Sequence, residues 1–269
     1  MGEIELSCHI SAWPADDFVR GLSGVSEAGF RAMECDADVV PMYEDRVPVF
    51  QEMLARQDVT LAAVGTQLRP VTLELLEEEI ERCANVARFL KANRSELLVL
   101  KPPTKRPEGD DAEDWKLAVE AINQIGRRTL DLDVRTCLHP CANSIAEKRT
   151  TVDKLLKATE SDSVRLCADT GFLAWAGISP THFFKKYAKR IDYIHFRDVK
   201  KPRALKNGPS ALQIATYGKG AVKMDAIAKR VEAIDYSGWV TIEYPGPHTD
   251  PVEATSVARE HTRRVLNLI

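Results

Sequence analysis

Two acids and two imidazoles stand at or near the ends of apolar runs in this chain. Asp169 ends "VRLCAD", His195 stands in "IDYIHFRD", Glu243 lies in "VTIEYPG" and His139 closes "DVRTCLHP", with a third acid, Glu147, eight residues further on. Mixed nitrogen and oxygen donors delivered by separate segments suit one divalent cation, such as Mn2+, Mg2+, Co2+ or Zn2+, and leave open positions for a substrate's oxygens. Each residue also has a plainer use. An Asp at a strand end caps a helix or forms a turn more often than it binds an ion. A Glu at a helix start, as at 147, answers the helix dipole without any metal. His195 is equally well a hydrogen-bonded interior histidine. Glu243 is harder to explain away, because an acid between Ile242 and Tyr244 is costly to bury unpaired.

The elements that must position these residues alternate. Short β-rich runs at 4–11, 30–36, 59–65, 96–102, 133–140, 164–169, 191–198 and 239–246 are separated by amphipathic stretches with helical period. Several runs are apolar on both faces, as buried parallel strands are. The helical stretches carry capping residues: Asp16, Thr72, Asp110, Ser179 before Pro180, and Asp250 before Pro251. Eight such units in 269 residues predict an α/β fold, a closed (β/α)8 TIM barrel forming one domain over 1–269. A doubly wound sheet would need a Gly-rich phosphate turn after the first strand, and "SAWPADD" is not one. The longest irregular segment, about 200–221, falls between the last two units, where a loop of such length is more often functional than idle.

In this fold the chemistry sits at the C-terminal ends of the strands. The polar or ring-bearing residues there are His9, Trp13, Glu34, Thr66, Lys101, His139, Asp169, His195, Arg197, Asp198 and Glu243. Composition narrows the partners. A net charge of −3 gives no global attraction to nucleic acid or an anionic membrane. The basic residues Lys185, Lys186, Lys189, Arg190, Lys200, Lys201, Arg203 and Lys206 read as a solvated helix face and a loop. No apolar run approaches a membrane span and the first residues lack a secretion signal, so a cytoplasmic protein is expected. The six cysteines form no CxxC pair and read as reduced, mostly buried thiols.

At the ligand candidates the sequence resembles the sugar-phosphate isomerase/epimerase family, the xylose-isomerase-like barrels that include inosose dehydratases, hydroxypyruvate isomerases and ketose 3-epimerases. "LCADTGFLAWAGISPTHFFKKYAKRIDYIHFRDV" is similar to that family's strand ending in DTGH followed by a strand reading HxKD, and "LHPCANSIAE" is similar to its HPHxGTxxE. The resemblance implies one divalent ion held by Glu147, Asp169, His195 and Glu243, with Cys137 or His139 as an alternative first ligand. It implies proton transfer through an enediolate on a sugar or polyol-derived substrate, with Glu147 and Glu243 as the acid pair and His139 as shuttle. Trp13, Lys101, Trp175 and Arg197 are then candidate substrate contacts. Isomerase or epimerase, dehydratase, and a binding barrel without turnover all remain open, as does homo-oligomerisation. Three departures stand out: Cys141 replaces a His, Asn143 and Ser144 replace Gly and Thr, and Phe172 replaces the His of DTGH.

Overall fold

The computed structural model describes residues 3–105, 112–202, 204–205, 208–209, 211–245 and 250–268. Asp110, Arg203 and Lys206 lie outside them. Each apolar run expected to be a strand overlaps one: β1 Ile4–His9, β2 Ala32–Asp36, β3 Thr60–Gln67, β4 Leu97–Lys101, β5 Arg135–Leu138, β6 Val164–Asp169, β7 Ile191–Phe196 and β10 Gly238–Ile242. Two two-residue strands, β8 Ala204–Leu205 and β9 Gly208–Pro209, form a small antiparallel pair in the long loop after β7. The eight longer strands close into a parallel barrel in the order β1-β10-β7-β6-β5-β4-β3-β2.

The helices that follow the strands include α1 Phe18–Glu27, α2 Val40–Tyr43, α3 Val47–Arg56, α4 Leu76–Ala92, α5 Ala112–Leu130 and α6 Arg149–Ala158, then α7 Thr170–Trp175, α8 Pro180–Lys186, α9 Met224–Ala233 and α10 Pro251–Val265. None of the described helices is long and apolar enough to cross a membrane. Ser179 and Asp250 cap α8 and α10 as expected, each before a proline at the first helical position. Two expected caps move. Asp17, not Asp16, accepts the Arg20 N–H at the start of α1, and α4 begins at Leu76 without a side-chain cap, four residues past Thr72. α7 is a helix where the sequence reads as a turn.

Two compact units are distinguished. One comprises Met1–Cys35, Glu52–Thr60 and Ala168–Ile269; the other comprises Asp36–Gln51 and Leu61–Cys167. In the first unit, strand register decides which side chains meet. Ser7 of β1 pairs with Thr241 of β10, His9 with Glu34 of β2, and Thr241 with His195 of β7. Side chains alternate along a strand, so Ser7 and His9, Tyr193 and His195, and Thr241 and Glu243 share faces. All of them are buried, together with Glu34. In the second unit, α4 packs beside α5. There the buried Glu79 accepts hydrogen bonds from the Arg69 backbone and from the Arg69 and Arg82 guanidinium groups, while Arg82 also reaches Thr66 Oγ1 and the Gln67 carbonyl. This ties α4 to the C-terminal end of β3.

Candidate functional site

A ladder of buried polar groups runs through the first unit. Ser7 Oγ and Thr241 Oγ1 lie 2.5 Å apart, Thr241 donates to Tyr193 Oη at 2.5 Å, and Tyr193 donates to Glu34 Oε2 at 3.0 Å. The same Glu34 oxygen is 2.7 Å from His195 Nε2. On the other side of the ring, Nδ1 is 3.1 Å from Glu243 Oε2. Glu243 Oε1 in turn pairs with Arg197 Nη1 at 3.2 Å, and Arg197 Nη2 pairs with Asp169 Oδ2. His9 accepts the Ser11 N–H at Nδ1, which leaves Nε2 to carry the ring proton, and Nε2 faces Glu34 Oε1 at 3.8 Å.

Burial by itself would raise the Glu34 pKa. The charge and hydrogen bond of His195 outweigh that penalty, with help from His9, and bring the carboxyl to about 2. Burial also works against ionising Glu243, but Arg197 and then His195 hold it well below the usual carboxylate range. Burial disfavours the Arg197 cation, yet Asp169 and Glu243 push its pKa further up, so the guanidinium stays charged. Burial, and then the charge of Glu34, push the Cys8 thiol pKa up, which keeps it protonated. Five of the six cysteines are buried, and Cys141 is half-buried.

Asp169 does two jobs. Its Oδ1 accepts the Phe172 N–H at 2.9 Å and so caps α7, while Oδ2 faces Arg197. The plain capping role and the cluster role therefore coexist. Gly171 allows this close approach, since a Cβ there would lie 2.9 Å from Val199 Cγ1 and 3.0 Å from Arg197 Cγ. Phe172 is 1 % exposed and its ring centroid lies 6.1 Å from that of Trp175. It fills the interior as packing.

Asp198, one residue past Arg197, is fully buried and organises the loop. Oδ1 accepts the Val199 and Val222 N–H groups at 2.9 and 3.1 Å, and Oδ2 accepts those of Gly218 and Gly220 at 3.0 and 2.8 Å. A Cβ on Gly220 would fall 2.0 Å from Asp198 Oδ1, so this position requires glycine. The loop thus held carries Tyr217, whose hydroxyl donates to the Phe196 carbonyl at 2.5 Å.

The other residues singled out in the sequence stand as follows. Glu147 precedes α6 by two residues, and its carboxylate accepts from Lys105 Nζ at 2.8 Å and the Asn143 N–H at 2.7 Å. His139 is buried just past β5. Lys101 Nζ is 3.7 Å from Asp36 Oδ1 and lines a cavity of about 480 Å3 with Asp36, Thr66, Gln67 and Arg82. Trp13 is buried with its indole against Gly24 of α1, where a Cβ would come within 2.3 Å of the ring. Trp175 is buried beside Phe172. His9 and Glu34, read from the sequence as polar strand-end residues with no assigned role, join the cluster, as does Tyr193, which the sequence did not single out. The available signal for Glu34 was an acid inside the apolar run "FRAMECD".

Asp169, His195 and Glu243 offer ligand atoms that all lie within 4.8 Å of one another. Two observations show that they fit a divalent cation. Glu243 Oε2 and Glu34 Oε1 are buried without a hydrogen-bond partner among the described atoms. Three carboxylates also face a single guanidinium and two imidazoles, so negative charge exceeds the fixed positive charge. A cation drawing on Asp169 must share Oδ1 with the Phe172 N–H or take Oδ2 from Arg197.

The model of the xylose isomerase-like TIM barrel family matches residues 22–265 of the chain. An inosose dehydratase from Clostridium botulinum is 25% identical over 247 residues, covering 84% of this chain and 81% of that protein. Among solved structures, the IOLI protein with a binding zinc atom superposes with a TM-score of 0.79 at 16% identity, covering 98% of both chains. A D-allulose 3-epimerase from Methylomonas sp. in complex with D-allulose superposes at 0.78 and 15% identity, again over 98% of both chains.

Proposed function

The chain belongs to the xylose isomerase-like TIM barrel family, and on that premise we propose that it is a divalent-metal-dependent isomerase or epimerase of a small sugar or keto-polyol. The observation that carries the reading is the buried trio Asp169, His195 and Glu243 with its converging ligand atoms. The zinc atom of the IOLI protein and the D-allulose of the Methylomonas epimerase support it.

A bound divalent ion would polarise the substrate carbonyl and stabilise the enediolate left when the neighbouring C–H proton departs. Asp169, His195 and Glu243 would hold it. Glu147 is the fourth proposed ligand, and its carboxylate must first leave Lys105 and the Asn143 N–H. Glu243 and Glu147 take and return the proton on opposite faces of the substrate. While paired with Arg197, Glu243 is a weak base, so the substrate must exclude water and loosen that pair before proton transfer. Arg197 fixes the orientation of both Asp169 and Glu243 and contacts a substrate hydroxyl. His139 shuttles the proton, Lys101 meets a hydroxyl or phosphate, and Trp13 and Trp175 wall the apolar face of the sugar.

A second reading is dehydration, favoured by the inosose dehydratase name of the matched relative. The same deprotonation is then followed by expulsion of a β-hydroxyl as water. Incubating the metal-loaded protein with a panel of ketoses and 2-keto-inositol in D2O separates the two. Solvent deuterium in a recovered isomer supports the first reading, and a product lighter by one water, a 1,2-diketone or its enol, supports the second. Neither exchange nor elimination on any member of the panel refutes both.

A further inference from the structure

Glu34 is fully buried inside the barrel, touches no expected ligand other than His195, and has no part in the proton transfer proposed above. What it does follows from the two sides of the His195 ring. Nε2 lies 2.7 Å from Glu34 Oε2, and Nδ1 lies 3.1 Å from Glu243 Oε2, the carboxylate oxygen that lacks a hydrogen-bond partner. Both ring nitrogens face carboxylate oxygens, which only accept, and a neutral ring has one proton to give; the shorter contact, to Glu34, draws that proton to Nε2 and leaves the lone pair on Nδ1 for a cation beside Glu243. The carboxylate is itself fixed: Tyr193 Oη donates to the same oxygen, Thr241 donates to Tyr193, and Ser7 closes the ladder. His9 Nε2 borders the other oxygen at 3.8 Å.

We infer that Glu34 is a positioning residue that holds His195 in its Nε2–H tautomer, so that Nδ1 is presented to a divalent ion beside Glu243. This deepens the proposed function and rests on an ion being held by Asp169, His195 and Glu243. The arrangement puts a carboxylate behind a ligating histidine, where the partner sets both ring orientation and donor strength. Register explains why β2 supplies it. Glu34 pairs with His9 of β1, and β1 neighbours β10, which neighbours the strand bearing His195.

The test uses the full chain labelled with 15N-histidine and titrated with Zn2+ alone. In the wild-type protein, long-range 1H–15N correlations of His195 are expected to show Nδ1 bound to zinc and Nε2 protonated. Glu34→Gln, whose amide can also present an N–H to the ring, is expected to lose the single tautomer and to weaken Zn2+ binding by about 10–100-fold while far-UV circular dichroism is retained. Zinc on Nε2 of the wild-type His195 overturns the inference and needs no variant. A Glu34→Gln protein with unchanged tautomer and unchanged Zn2+ affinity also overturns it, and leaves the metal site intact. A wild-type protein that takes up no Zn2+ at all overturns the proposed function, and this inference with it.

Discussion

Asp198→Asn tests whether one buried carboxylate holds the loop beside the site. The wild-type side chain accepts four backbone N–H groups, two on each oxygen, and is fully buried. An asparagine has one acceptor oxygen, and in either amide orientation its NH2 faces two backbone donors. With the NH2 on the Oδ1 side, the two buried N–H groups of Val199 and Val222 lose their acceptor, at about 1–3 kcal/mol each and about 2–6 kcal/mol in total; on the Oδ2 side the donors belong to exposed Gly218 and Gly220, where water replaces part of the loss. At the lower bound of ~2 kcal/mol, local opening becomes roughly 30-fold more frequent, because ~1.4 kcal/mol is a factor of ten. Native-state hydrogen exchange should show this at Val199 and Val222 or at Gly218 and Gly220, whichever pair the NH2 faces. Chemical denaturation should register the loss in overall stability. Exchange at all four amides within about 3-fold of wild type, with an unchanged denaturation midpoint, would refute the reasoning.

Phe172→Ala removes a ring that is 1 % exposed and packed on Trp175. A loss of about 3–5 kcal/mol is expected by urea denaturation, and a loss under 1 kcal/mol would mean that the ring is not core packing. Glu79 gives a pH signature. Burial would raise its pKa above the ordinary 4.5, but the hydrogen bonds from Arg82 and Arg69 bring it below that value in the folded protein. Its contribution to stability is therefore present above about pH 4.5 and is lost as pH falls through the lower folded value. Denaturation between pH 3 and 6 should show the gap between wild type and Glu79→Gln closing on acidification; a gap that widens contradicts the sign.

The strands were legible because parallel barrel strands are buried on both faces and leave apolar runs. β6 at Val164–Asp169 matches its run residue for residue, whereas the run from residue 4 to 11 ends early as a strand, because Ile10–Ala12 turn into a 3-10 helix. α7 was hidden for a different reason: six residues are too few to show a helical period after "ADTG". Long-range pairing was the least visible property. Glu34 meets His195 across 161 positions and Ser7 meets Thr241 across 234, distances that only barrel closure and register settle. Asp198 could be recognised as a polar strand-end residue, but three of the four N–H groups it accepts come from a loop 20 to 24 residues later. Glu147 was legible as an acid near α6, and the Lys105 pairing that engages it was not.

The central claim is that Asp169, His195 and Glu243 form a metal site. Its most direct test is metal content after equilibration with excess Zn2+ and gel filtration, measured by plasma mass spectrometry on wild type and on folded Asp169→Ala and Glu243→Ala proteins. One ion per wild-type chain is expected, with loss of that ion in both variants. An empty wild-type protein, or variants that keep full occupancy, would contradict it.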